Sequence, residues 1–191
     1  MQVQKDEKRL AIIRAAAELF ASQPFHKVTL SDVATLAAVG KGTLYTYFKS
    51  KDDLYLSMLY IGFERLVDRI RQTICLDRYS PRKNLAHAIG EILGVAYGTP
   101  YLYEVLHRLG TEDGELLEKW QEKRRELKAL LEEIIVQGIE NKDFYAPNPE
   151  LTACIIPGII RSAVINAGKT MDQEDLTTQV LDFTLNALRN P

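Results

Sequence analysis

Cysteine is scarce in this chain: 191 residues carry two, Cys75 and Cys154, far apart and in no C-x-x-C spacing. That excludes a disulfide framework or a thiolate metal cluster, and two free, buried thiols are expected. There is no G-x-S-x-G nucleophile elbow and no H-E-x-x-H zinc motif, so no catalytic residue, metal or cofactor is expected. Gly168-Lys169-Thr170 looks like the end of a phosphate-binding loop, but Ala163 stands where its first glycine belongs. No strand precedes it either, and Gly and Lys are ordinary at a helix C-terminus. Glycine (11) and proline (7) are too few for a disordered chain, while 46% hydrophobic residues suffice for a core. Alternating strand patterns, internal repeats and low-complexity tracts are missing, so the fold class is all-α. The N-terminus is charged, and the longest apolar run, residues 154–160, is short of the ~20 residues of a membrane span. A cytoplasmic protein with no membrane partner is expected.

What is present is helical periodicity. Leu30, Val33, Ala34 and Ala37 recur on one helical face, with Thr29 placed to cap the helix and Asp32 where a capping-box acid belongs. Ala38-Val39-Gly40 makes a tight turn, and a second helix spans residues 41–48. Only Leu44 and Phe48 of that helix form an inward pair. Lys41, Gly42, Thr43, Tyr45, Thr46 and Tyr47 are polar, small or hydroxyl-bearing, and most of them must face out. Two short helices around such a turn, over residues 29–48, describe a helix-turn-helix whose second helix suits a DNA major groove.

Leu19-Phe20, the helix-turn-helix, and Lys41-Gly42-Thr43-Leu44-Tyr45-Thr46-Tyr47-Phe48-Lys49-Ser50-Lys51 followed by Leu54 closely resemble the N-terminal domain of the tetracycline-repressor (TetR) family. The resemblance covers residues 8–56. It departs from the family pattern at Ala38, where glycine is usual, and at Gly40, where serine usually caps the second helix. Ala38 should strain a position that prefers φ > 0, whereas glycine is an acceptable N-cap. Carried over residue by residue, the resemblance implies that Lys41, Thr43 and Tyr45 read base edges and that Gly42 permits close approach. Thr29, Tyr47 and Lys51 would bind phosphates and set register.

Charge is distributed to match. The net charge is −2, yet up to Asp52 there are eight Lys/Arg against five Asp/Glu, and beyond it sixteen against twenty-one. A small basic reading head on a more acidic body is expected, with a DNA-binding domain at residues 1–50 and a helical ligand-binding and dimerisation domain at 51–191. Lys5, Lys8, Arg9, Lys27 and Lys49 could also meet phosphates.

About nine helices are expected in total. The first spans residues 6–22, with Leu10, Ile13, Ala17 and Phe20 on its inner face, and Pro24 ends it. The fourth runs over 51–74 with Leu54, Met58, Ile61, Leu66 and Ile70 at core spacing. Further helices span 81–96, 101–108, 115–141, 149–168 and 173–189, separated by Gly- and Pro-containing loops. The last two are apolar over more than one stripe, so they need burial on two sides. Ile155, Ile159, Ser162, Ala163, Val180, Phe183 and Ala187 are the candidate interface of a twofold homodimer, formed through a four-helix bundle, as the resemblance also implies. Pro157 removes one backbone hydrogen bond inside the first of them.

Phe63, Tyr97, Tyr101, Tyr103, His107 and Trp120 are residue types that line small-molecule cavities and are the candidate effector pocket, although core packing explains the same aromatics. His26 and His87 read as solvated or packed. The expected function is a DNA-binding transcriptional regulator, a repressor released from a palindromic operator by a small-molecule effector. The alternative is control by a protein partner, and an all-α enzyme is a remote third reading.

Overall fold

The computed structural model describes residues 2–75, 80–99, 115–168 and 170–189, and within them the secondary structure is helical, with no strand. In chain order the helices are α1 (Gln2–Ser22), α2 (Leu30–Leu36), α3 (Lys41–Tyr47), α4 (Lys51–Cys75), α5 (Pro81–Gly98), α6 (Glu115–Glu140), α7 (Pro149–Ala167) and α8 (Gln173–Ala187). The helix expected at 101–108 lies outside the described residues, as do Tyr101, Tyr103 and His107. Two compact units divide inside α4, one holding Met1–Gly62 and the other Phe63–Pro100 with most of the remainder.

In the first unit α1 buries Ile12, Ile13, Ala15 and Ala16 against Val28, Val33, Ala34, Leu44, Phe48 and Leu54. This corrects the expected inner face of α1, because Leu10 is exposed and Ala17 points outward. Both sets have helical spacing, and only the packing partner decides between them.

The α2–α3 turn is closed by backbone bonds from Ala38 N to Thr35 O (3.1 Å) and Val39 N to Ala34 O (3.0 Å). That pair of bonds is a Schellman motif, in which the residue after the C-cap is left-handed. Here that residue is Ala38, with φ 52°. An L-residue there costs ~1–2 kcal/mol, part of which glycine returns through its looser unfolded chain. Ala38→Gly is therefore expected to stabilise the protein by about 0.5–1 kcal/mol, read as a melting midpoint a few degrees higher. An unchanged or lower midpoint would show the turn to be unstrained.

In the second unit, α5 packs on α6, α7 and α8, with Leu85, Ala88, Ile89, Leu93 and Ala96 buried against Leu131, Ile134, Ile156, Ile160 and Val180. Local chemistry starts each helix. Ser80 caps α5 ahead of Pro81, Asn148 Oδ1 accepts from Leu151 N at 2.9 Å ahead of Pro149, and Asp172 caps α8. Burial opposes the charge of Glu126 on α6, but hydrogen bonds from Lys123 and from Arg71 of α4 (3.0 and 2.6 Å) outweigh it and lower its pKa.

Val180 corrects the expected dimer stripe: it is buried in this core with Leu176, Thr184 and Leu188. Cys154 corrects the expectation of buried thiols, being free and exposed on α7. The helix continues through Pro157. By length and composition α7 is apolar enough to cross a bilayer, with mean hydropathy 1.3, although no single apolar run in it is long.

Candidate nucleic-acid interface

Thr29 and Asp32 build the start of the reading head. Asp32 Oδ2 accepts from Thr29 N (2.9 Å) and from the Thr29 hydroxyl (2.7 Å), while Thr29 Oγ1 accepts from Asp32 N (3.2 Å). The reciprocal bonds satisfy two otherwise orphaned N–H groups at the entry to α2. They also hold the Asp32 carboxyl below the ordinary carboxylate range, so the cap persists through neutral pH. The hydroxyl expected to meet a phosphate is thus already engaged in the cap.

α3 has two sharply different faces. Leu44 and Phe48 are fully buried, and the Arg9 guanidinium lies 5.7 Å from the Phe48 ring centre. On the outer side Lys41 and Gly42 are exposed, Tyr45 is 50% exposed and Thr43 is half-buried. The Thr46 hydroxyl turns back to donate to Thr43 O at 2.6 Å. Tyr47 is half-buried, with its ring 6.4 Å from that of Phe48, so it sits at the edge of the face.

At Gly42 the protein itself leaves room for a side chain. A Cβ added there would meet no atom within 4 Å, and its φ is not positive. Glycine near the start of a helix nonetheless costs up to ~1 kcal/mol relative to alanine.

Lys51 is placed differently from the expectation. Its Nζ donates to Phe25 O at 2.9 Å and Val28 O at 3.1 Å, and lies 4.3 Å from the Phe25 ring centre. Phe25 in turn stacks on Phe20 (5.4 Å) and meets Tyr55 edge-on (5.0 Å). Sequence reasoning missed this cluster, since no helical spacing joins residues 26 positions apart.

Residues 12–58, the span that contains this face, match the model of the bacterial regulatory proteins, tetR family. The chain's N-terminal domain belongs to that family. The whole chain is 26% identical to the fatty acid metabolism regulator protein of Bacillus subtilis over 98% of each chain. It is 36% identical to the HTH-type transcriptional activator FasR of Mycolicibacterium smegmatis, over 37% of this chain and 32% of that protein. In fold it is similar to FadR of Bacillus subtilis, solved in complex with stearoyl-CoA (TM-score 0.70, 24% identity, 94% of this chain and 99% of that one). FadR of Bacillus halodurans gives TM-score 0.70 at 25% identity, over 96% and 97% of the two chains. The protein is a DNA-binding transcriptional regulator.

The regulator's candidate effector residues are only partly brought together. Phe63 and Trp120 pack with ring centres 5.1 Å apart, while the Tyr97 hydroxyl donates to Met171 O at 3.1 Å. A recess of about 420 Å³ on the larger unit is lined instead by Arg69, His87, Gly90, Glu91, Gly94, Val95 and Gln173. Its acid and base neutralise each other, with Arg69 paired to Glu91 at 2.7 Å. No phenylalanine, tyrosine or tryptophan is among those lining residues.

Proposed function

We propose that this regulator is a repressor that binds a palindromic operator as a homodimer and leaves it when a long-chain acyl-CoA occupies the larger unit. The observation that carries the reading is the two-faced α3, with Leu44 sealed beneath it and Lys41, Gly42 and Tyr45 open to solvent. Two such helices would enter successive major grooves, with half-site centres about 34–36 Å apart or a multiple of that. Lys41, Thr43 and Tyr45 read base edges. Tyr47 meets phosphate at the margin, and Thr29 acts through the cap it builds.

Dimerisation is supported by the outer faces of α7 and α8, where Leu151 (54%), Ile155 (47%), Ile165 (50%) and Phe183 (62%) are exposed. Ile159 and Ala163 are half-buried, and Ser162 and Ala187 exposed, beside them. Arg161 and Asn166 are exposed on the same helix, and a charge at mid-helix suits a protein cover far better than lipid. The acyl-CoA class is taken from the stearoyl-CoA held by FadR of Bacillus subtilis, whose fold is similar, and agrees with the full-length likeness to a fatty acid metabolism regulator. The ligand acts by binding the non-operator conformation better, and a coupling of about 1–3 kcal/mol weakens operator binding roughly 5–150-fold.

The test is selection of bound duplexes from a random pool, followed by titration of the enriched site. An inverted repeat is expected, bound about 5–150-fold more weakly by Tyr45→Ala and by Lys41→Ala. Gly42→Ala should move two readouts in opposite directions, raising the melting midpoint while weakening operator binding. Stearoyl-CoA should release the duplex. If no repeat is enriched, or if the α3 substitutions leave it bound as before, the interface is misplaced. Release by a protein partner but not by acyl-CoA would leave the interface standing and replace the effector.

A further inference from the structure

From the Lys51 contacts we infer that this residue is a positioning residue, a clasp that fastens the base of the helix-turn-helix, and not a phosphate ligand. Both acceptors of its ammonium, Phe25 O and Val28 O, lie in the segment that leads directly into the Thr29 cap of α2. Lys51 itself is the first residue of α4. Everything between them, α2, the strained turn and α3, is therefore a loop pinned at its two ends by one side chain. The start of α4 is held as well: Ser50 Oγ accepts from Asp53 N at 3.0 Å, and Asp53 Oδ2 accepts from Lys49 N at 2.9 Å.

The chemistry suits a clasp. An ammonium carries three donors on a flexible stem, so one atom can serve two carbonyls that point to the same place. Charge-assisted bonds to carbonyls are roughly twice as strong as neutral ones, and the Phe25 ring face adds a cation–π attraction on a further side. Phe25 and Val28 are buried at 7% and 1% exposure, so their carbonyls lie in a part of the unit where an unpaired acceptor is costly. A phosphate would have to compete with all three partners for the same charge. Orientation of α3 relative to α4 then depends on Lys51, although Lys51 itself does not touch DNA.

The inference rests on the DNA-binding reading, and the experiment separates the two. Lys51→Met and Lys51→Arg would be titrated, over a range of salt, with the duplex enriched by wild type. Amide exchange of residues 25–36 would be followed in the free proteins, at a temperature where circular dichroism shows each to be folded. A phosphate ligand releases counterions, so its loss makes the log–log salt slope shallower by about 0.9. For Lys51→Met the expected result is about tenfold weaker binding with an unchanged slope, and about tenfold faster exchange over 25–36. A merely structural role would leave the affinity of the folded variant at the wild-type value.

Lys51→Arg keeps the charge but replaces the point donor with a longer planar fork that cannot serve both carbonyls from one atom. A phosphate contact would survive it, so undiminished affinity overturns the clasp, as does a shallower slope or unchanged exchange in Lys51→Met. Should Lys51→Met fail to fold, the arginine variant decides alone, by weaker binding at unchanged slope. If wild type enriches no duplex at all, the operator reading falls, and the exchange rates still decide the clasp.

Discussion

Phe183→Glu is expected to reduce the solution mass from about twice 21.7 kDa to that of one chain, and with it to abolish tight operator binding. Phe183 is 62% exposed on α8, an unusual place for an aromatic ring. Covering it by a second chain is worth about 2 kcal/mol, and a twofold axis applies the change twice, so association weakens about a thousandfold or more. A carboxylate buried at that axis adds repulsion to lost contact. The monomer keeps an intact α3 but loses the tethering of the second half-site, which supplies roughly 10²–10⁴ in avidity. Sedimentation equilibrium and operator titration read the two effects. A variant still dimeric at micromolar concentration would move the interface away from α7 and α8. Val180, on the same helix, is no substitute for this test because its side chain is already buried in its own chain.

The second large effect is on stability. Gly138→Ala is expected to cost about 3 kcal/mol, the upper end for overpacking a core, and to lower the melting midpoint of the larger unit by roughly 6–12 °C. An added methyl would fall inside the Phe144 ring, 2.5 Å from Cε2 and 2.8 Å from Cγ. The ring cannot step aside, because Phe144 N and Asp143 N both donate to Gly138 O (3.0 and 2.8 Å) and Lys142 completes the turn at φ 62°. The next residue is tied by Tyr145 N to Leu188 O at 2.8 Å. Phe144 is 2% exposed, so displacing it forfeits most of a buried aromatic side chain. Calorimetry checks the midpoint. A loss below about 1 kcal/mol would mean that the turn after α6 relaxes more freely than its hydrogen bonds imply.

Gly138 also shows where sequence reading stops. One glycine inside a long helical pattern reads as a tolerated weak point, and its reason is a ring six positions on that returns over it after a left-handed turn. Lys51 makes the same point at the candidate interface. In the sequence it is one of several basic residues around a DNA-reading helix, and its reach to Phe25 and Val28 is a product of how α1, α2 and α4 meet. The buried face of α1 differs from the expected one for a related reason. Leu10, Ile13 and Ala17 and the observed Ile12, Ile13 and Ala16 both satisfy helical spacing, so periodicity alone could not choose.

Local chemistry was legible from residue order because it acts over one or two turns. The Thr29–Asp32 capping box, the left-handed Ala38, the inward Leu44–Phe48 pair and the outward Lys41, Gly42 and Tyr45 follow from spacings of three or four residues. Helix periods and caps likewise placed the described helices within a few residues of their observed ends. Which apolar stripe of α8 turns inward, where Cys154 points, and whether a lysine serves DNA or its own backbone depend on partners far away in the chain. Burial and hydrogen bonding between distant segments are set only when the helices pack. Until then, several faces of the same sequence are equally hydrophobic, and each positive charge is equally free.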